Sequence, residues 1–317
     1  MYKYAILSLA VLIGFSGCTY KPKLNTYVPP KQNTIVKEKV IYKEKIVRVG
    51  SGINLKEELK KEYKEIKSQY SFKKTRKQNL DSFALVIGIN NYKQNTPVEY
   101  ADLSALAFEE LANKTLGIPK ENIITLLNDD ATSGQLKAKI ELIKELADGN
   151  GNLYVYFAGH GVPGKDGNTY LLPYDMSADS IHLEVNLQLN KIYAKLSKSE
   201  AKNVFVFMDS CFSGKDDSGS LLYKGVAPVL KTKKTVISGN KLTIFTAGKS
   251  TDFANDYQDK KQRLFTHFLI KELGQGKTNL NSVYSTIKNK VKRTSLRKGI
   301  GYKQVPQLYG NKGKNLL

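Results

Sequence analysis

From residue 83 onward, short runs of consecutive apolar residues alternate with longer stretches in which apolar residues recur every third or fourth position. The runs lie at 83–89, 123–127, 153–158, 203–209 and 242–246. They are rich in aromatic and β-branched residues and are bounded by turn formers, the pattern of strands buried on both faces. Between them, 102–112 (Leu103, Leu106, Ala107 and Leu111 inward), 132–147, 186–197 and 265–273 carry helical spacing. Thr132 or Ser133 caps the second of these helices and Gly149 ends it. Strands alternating with helices predict βαβ units and an α/β body around a mostly parallel sheet. Ahead of that body, Leu55, Leu59, Tyr63, Ile66 and Tyr70 form one apolar stripe with lysines opposite. This predicts an amphipathic helix over 53–70 that packs either on the body or on a partner. A polar linker follows at 73–78, so the folded domain is expected to run from about Asp81 to residue 317.

Two of the strands end in reactive side chains. Leu153-Tyr-Val-Tyr-Phe-Ala-Gly-His160-Gly161 and Asn203-Val-Phe-Val-Phe-Met-Asp209-Ser-Cys211-Phe-Ser-Gly214 each run from an apolar strand into a small-residue turn. Ligands of open α/β sheets bind at the carboxyl ends of the strands. If these two strands are neighbours, His160 and Cys211 meet there, and a thiol beside an imidazole is the minimal kit for nucleophilic catalysis. Gly159 and Gly161 let the backbone approach a substrate closely, and the N–H groups of Gly161 and Cys211 are candidates for an oxyanion hole. Taken singly, a cysteine is more often a small hydrophobe and a histidine more often a hydrogen-bonded structural residue; the matching placement at two strand ends is what points to chemistry. His182 and His267 lack that context and are read as non-catalytic. The scattered histidines and two cysteines give no metal-ligand cluster. Residues 212–241, rich in Gly, Ser and Lys, break the rhythm; a loop this long inside a compact domain is functional or disordered.

Charge changes the picture mainly at the N-terminus. The chain of 317 residues carries a formal charge of +21, and residues 1–80 alone hold 18 Lys/Arg against 6 Asp/Glu. No nucleic-acid motif accompanies this excess, which reads as a solvated, lipid-facing tail. Lys3, an apolar core over 5–13 and then Gly14-Phe-Ser-Gly17-Cys18 have the shape of a signal peptide rather than a membrane span. The small residues closing on a cysteine resemble the bacterial lipoprotein signal. That resemblance implies removal of residues 1–17, lipidation of Cys18, and a protein anchored by its N-terminus on the periplasmic side of the cell envelope. Thr19 after Cys18, rather than Asp, favours the outer membrane. An ordinary secretory signal or an uncleaved anchor is the alternative. Residues 18–80 are then anchor, basic tether and helix, and Cys211 is a thiol without a disulfide partner.

Three segments, in order, carry a further resemblance: Ala84-Leu-Val-Ile-Gly-Ile-Asn90-Asn-Tyr92, Tyr156-Phe-Ala-Gly-His160-Gly161 and Met208-Asp209-Ser-Cys211-Phe-Ser-Gly214. They resemble the caspase-like cysteine peptidases, and within them the bacterial metacaspase-like branch. Ala101-Asp102, Tyr170-Leu-Leu-Pro-Tyr-Asp175, Thr251-Asp252-Phe-Ala254 and Leu264-Phe-Thr266 resemble secondary marks of the same family, over roughly 81–275. The resemblance implies a caspase–haemoglobinase fold and hydrolysis of protein or peptide substrates after Arg or Lys. Cys211 attacks, His160 manages protons, and Gly161 and Cys211 hold the oxyanion. By the same resemblance Asp209 and Asp102 line an acidic specificity pocket. Read on their own, Asp209 is a structural hydrogen-bonding residue and Asp102 a helix N-cap. Ala158 and Phe212 depart from the family's usual Ser and His and bear on how strict a basic preference is. No cofactor is required by the motifs. Calcium activation is common in the family, with Asp175 a candidate ligand and Asp216 and Asp217 candidates by composition, short of a complete site. The lysines of 212–241 suit self-cleavage. Two rival readings are a non-catalytic caspase-fold scaffold at the cell envelope, which fits the tether and helix, and a Cys–His hydrolase of non-peptide acyl substrates.

Overall fold

The computed structural model describes residues 53–76, 78–212, 214, 220–222, 240–249 and 252–317. The signal segment, Cys18, the tether, Asp216, Asp217 and most of the candidate processing loop lie outside the described residues. All described residues fall in one compact unit.

The chain opens with α1 (Ile53–Lys67), then β1 (Phe83–Gly88), α2 (Ala101–Lys114), β2 (Ile123–Leu127), α3 (Ser133–Leu146) and β3 (Asn152–Ala158). A hairpin of β4 (Gly161–Pro163) and β5 (Thr169–Leu171) precedes α4 (Leu189–Ser197), β6 (Asn203–Asp209) and β7 (Leu242–Thr246). A two-residue ribbon, β8 (Asp256–Tyr257) and β9 (Gln262–Arg263), leads into α5 (Leu264–Gly274), α6 (Leu280–Arg297) and β10 (Gln307–Gly310). The main sheet runs β10-β7-β6-β3-β1-β2. Every neighbouring pair is parallel except β10 with β7.

Alternation along each strand divides the core. Tyr154, Tyr156, Phe205, Phe207 and Phe245 face α1, α2, α5 and α6. Leu153, Val155, Phe157, Val204, Val206 and Ile244 face α3 and α4. Because both faces are covered, the strands read as continuous apolar runs. Burying one such Phe contributes roughly 1.5–3 kcal/mol. Thr132 caps α3, its hydroxyl accepting the Gln135 N–H. The helix expected over 186–197 begins later. Val185–Leu187 is a 3-10 turn, and the extended backbone of Gln188 separates it from α4.

The helix ahead of residue 81 packs on the folded body. Tyr63 and Ile66 of α1 and Tyr70 just after it are buried in the core, so the apolar stripe of this helix packs on its own domain. A partly buried carboxylate fastens it: Glu110 on α2 accepts the Tyr63 hydroxyl at 2.9 Å and Lys67 at 2.7 Å, and also pairs with Lys114. Burial pushes the Glu110 carboxyl up, but the bonds from Lys114, Lys67 and Tyr63 outweigh it and hold the group below the usual carboxylate range. Tyr70 Oη meets Nδ1 of His267, in the middle of α5, at 3.0 Å. Burial, with help from Lys271, Lys260 and Lys290, lowers His267 to about 4, so it stays neutral and structural. Among the described residues no helix is long and apolar enough to cross a membrane.

Candidate active site

β3 and β6 are adjacent and in register, Ala158 opposite Asp209. Their pairing extends beyond the strands. The Gly159 N–H donates to Asp209 O at 3.4 Å and the Gly161 N–H to Cys211 O at 3.1 Å. This extension sets the His160 and Cys211 turns side by side at the carboxyl edge of the sheet. Both residues are nearly buried.

His160 is held on two sides by the loop after β1. Its Nε2 lies 2.9 Å from the carbonyl oxygen of Thr96. A carbonyl only accepts, so Nε2 carries the hydrogen and Nδ1 is the basic nitrogen. The Tyr92 hydroxyl accepts the His160 backbone N–H at 2.7 Å, and the two rings sit 4.9 Å apart. Across the site, the Ala254 N–H donates to the Cys211 sulfur at 3.0 Å. A donor aimed at sulfur stabilises negative charge that develops there. The Phe212 ring lies directly against Gly161, where a Cβ would fall 2.1 Å from its Cε1.

Two expected roles need correction. The Gly161 N–H, expected in an oxyanion hole with that of Cys211, is engaged by the Cys211 carbonyl, because the ladder continues through the turn. It serves an oxyanion only after that bond opens. Asp209, expected to line a substrate pocket, is 0% exposed. Its Oδ2 accepts the Thr266 N–H at 3.0 Å and hydroxyl at 2.6 Å, and its Oδ1 is 3.9 Å from Nε of Arg263. A carboxylate fully removed from water needs such partners, so Asp209 follows the structural alternative.

Asp102 is not the N-cap expected of it, because Tyr100 holds that place in the left-handed region without a side-chain bond. Asp102 lies in the first turn of α2, where Oδ1 accepts the Leu103 N–H at 2.8 Å and Oδ2 accepts Nδ2 of Asn128 at 2.9 Å. Burial pushes its carboxyl up against those two bonds. It also lines a cleft of about 470 Å³ whose other acids are Glu58, Glu62, Glu99 and Asp129, facing a single lysine, Lys56. Asn128, in the left-handed region at φ 46°, shapes this cleft by accepting the N–H groups of Asn90 and Asn91. Asn90 and Asn91 line it and are followed by Tyr92, so one loop serves both the cleft and His160. Asp175, the candidate calcium ligand, instead accepts the Ser133 N–H at the start of α3. Among the described residues no three His, Cys, Asp or Glu side chains are grouped to hold a metal.

The model of the caspase domain, peptidase family C14, matches residues 81–317. The chain belongs to the caspase-domain family. Its domain is the caspase fold, an α/β body on a mostly parallel six-stranded sheet flanked by helices. The match takes in α6 and β10, beyond the reach of the sequence motifs. In structure this caspase domain is similar to protein GSU0716 from Geobacter sulfurreducens, with a TM-score of 0.51 and 19% identity over 72% of this chain and 92% of that one. Caspase-1 from Spodoptera frugiperda also matches, with a TM-score of 0.47 and 15% identity over 74% of this chain and 88% of that one. No curated protein matches the chain in sequence. The helix α1 precedes the matched region, yet it supplies Glu58 and Glu62 to the acidic cleft.

Sequence reasoning missed Tyr92, Thr96, Ala254 and Arg263. Tyr92, Ala254 and Arg263 fall within or beside motifs that carry the family resemblance, so a signal was present. Thr96 acts through its backbone carbonyl, which leaves no trace in residue type.

Proposed function

We propose that this caspase domain is a cysteine endopeptidase with a Cys211–His160 dyad. The observation that carries this reading is the continued β3–β6 ladder, which aligns the two turns, with Thr96 fixing the imidazole tautomer. Nδ1 of His160 takes the thiol proton, and the Cys211 sulfur attacks the peptide carbonyl carbon. The imidazolium then gives its proton to the leaving amine, and a thioester remains. Water, deprotonated by the same nitrogen, hydrolyses the thioester and restores the thiol. Opening of the Gly161–Cys211 hydrogen bond frees an N–H for the oxyanion during these steps.

A preference for Arg or Lys at the cleaved position is supported by the acidic cleft around Asp102, which shares its loop with His160. Asp209, already paired to Arg263, adds nothing to it. Fluorogenic peptides ending in Arg, Lys or Asp test this: the basic peptides are expected to be cleaved at least tenfold faster, the order of one charged contact. Asp102→Asn should narrow that ratio. A preference for Asp sinks the basic reading, and no turnover of any peptide leaves the scaffold or non-peptide hydrolase reading in its place.

Anchoring through a lipidated Cys18 at the envelope is proposed from the signal segment alone. Mass spectrometry of the mature protein is expected to find a lipid-modified Cys18 as the first residue; a mature chain retaining Met1 contradicts it. A partner that binds α1 must use its outer face, because Tyr63 and Ile66 are covered by the domain itself.

A further inference from the structure

Arg263 is among the largest side chains that the described structure buries completely. A buried guanidinium is costly without partners, and this one draws them from three separate segments. Its Nε faces Oδ1 of Asp209 at 3.9 Å, its Nη1 donates to the Glu99 carbonyl at 3.3 Å, and its Nη2 donates to the Ala254 carbonyl. The Ser104 hydroxyl fixes its backbone by accepting the Arg263 N–H at 2.9 Å. Ala254 is the residue whose own N–H reaches the Cys211 sulfur at 3.0 Å. The contacts therefore close a circuit: Asp209 at the end of β6, Arg263 in β9, Ala254, and Cys211, two residues after Asp209.

We propose that Arg263 is a positioning residue for the nucleophile. Its guanidinium holds the Ala254 carbonyl by a hydrogen bond, with the Asp209 carboxylate in ion-pair range at 3.9 Å, and so keeps the Ala254 N–H on the Cys211 sulfur, which favours the thiolate. A planar fork reaches a carboxylate and two carbonyls together, which an ammonium on a flexible stem does not. Thr266 completes the device by fixing the Asp209 carboxylate. Among the described residues, the titratable and charged groups on the elements that meet here include His160 after β3 and Tyr92 over its ring, Tyr156 of β3, whose hydroxyl meets the Thr266 hydroxyl at 2.7 Å, Asp209 of β6, Glu99, Asp252 and Asp256 flanking Ala254, Arg263 of β9, and His267 of α5. The proposal rests on Cys211 being the nucleophile.

Alkylation of Cys211 by iodoacetamide tests it without a peptide substrate. Labelling of the full-length protein is followed from pH 5 to pH 9 and read on the Cys211 peptide by mass spectrometry, so that Cys18 does not contribute. Arg263→Lys is expected to lower the rate at pH 6 about tenfold and to move the midpoint up by about one pH unit. The rate at pH 9 should change little. Arg263→Met with Asp209→Asn, which removes both charges, should give the same shift. A merely structural role would alter the melting temperature and leave this profile where it was. A folded variant with the parent's profile overturns the proposal while the nucleophile reading stands. If the double variant fails to fold, Arg263→Lys decides. A parent whose Cys211 titrates like free cysteine, and which turns over no peptide, overturns both.

Discussion

Cys211→Ala is expected to abolish peptide hydrolysis, and His160→Ala to lower kcat/KM about a thousandfold or more. Members of a nucleophile–base pair act as a unit, so loss of either removes nearly the whole contribution. Cys211 is the only cysteine in the domain, so no other thiol can take over. His160 is held at Nε2 by Thr96 and over its ring by Tyr92, a placement that His160→Ala removes. Steady-state rates on an Arg or Lys peptide, with melting temperatures measured alongside, check both variants. Turnover by Cys211→Ala at the parental rate would mean that the chemistry lies elsewhere.

Gly161→Ala is the second large effect. An added Cβ would lie 2.1 Å from Cε1 and 2.2 Å from Cδ1 of Phe212 and 2.7 Å from the Ser210 hydroxyl. Phe212 is buried among the α3 and α4 side of the core, so its ring cannot simply swing into water. Relief must come from moving the 210–212 turn, which carries the nucleophile. A shift of about 1 Å at a reacting group costs on the order of a hundredfold in rate, and overpacking of this kind costs about 1–3 kcal/mol of stability. The expected result is therefore a loss of kcat/KM well beyond the fall in melting temperature. Phe212→Leu in the Gly161→Ala background should restore part of the activity by removing the ring edge. Full activity in Gly161→Ala alone would show that the two turns do not need their close approach.

The strands, and the placement of His160 and Cys211 at two adjacent strand ends, were legible because their signals are local. Apolar runs of five to seven residues with both faces buried leave an unbroken pattern, and His160 and Cys211 each lie two residues past the end of a strand. The polar half of the site was not legible in the same way. Asp209 meets Thr266 across 57 residues of chain, and no periodicity records such a pairing. The fate of Asp209 depends on Arg263, a residue type that on sequence alone reads as solvent-facing. The helix α1 showed its stripe plainly, but the surface that covers it, on α2, is set by the tertiary fold. The family match also begins at 81, and the helix ahead of it joins the core through contacts that spacing alone does not show. α4 started late because Gln188 takes an extended backbone, a choice that spacing alone does not register.

The position of β3 and β6 within the sheet carries a consequence for how activity is lost. They are the central pair of the six strands of the main sheet, with β7 and β10 on one side and β1 and β2 on the other. Local opening starts at sheet edges and reaches central strands only with the whole unit. Amide exchange at the interior positions of these two strands should proceed at the rate of global unfolding, with β2 and β10 exchanging sooner. An edge can then fray and re-form while the His160 and Cys211 turns keep their spacing, so that the site and the fold itself disappear in a single step.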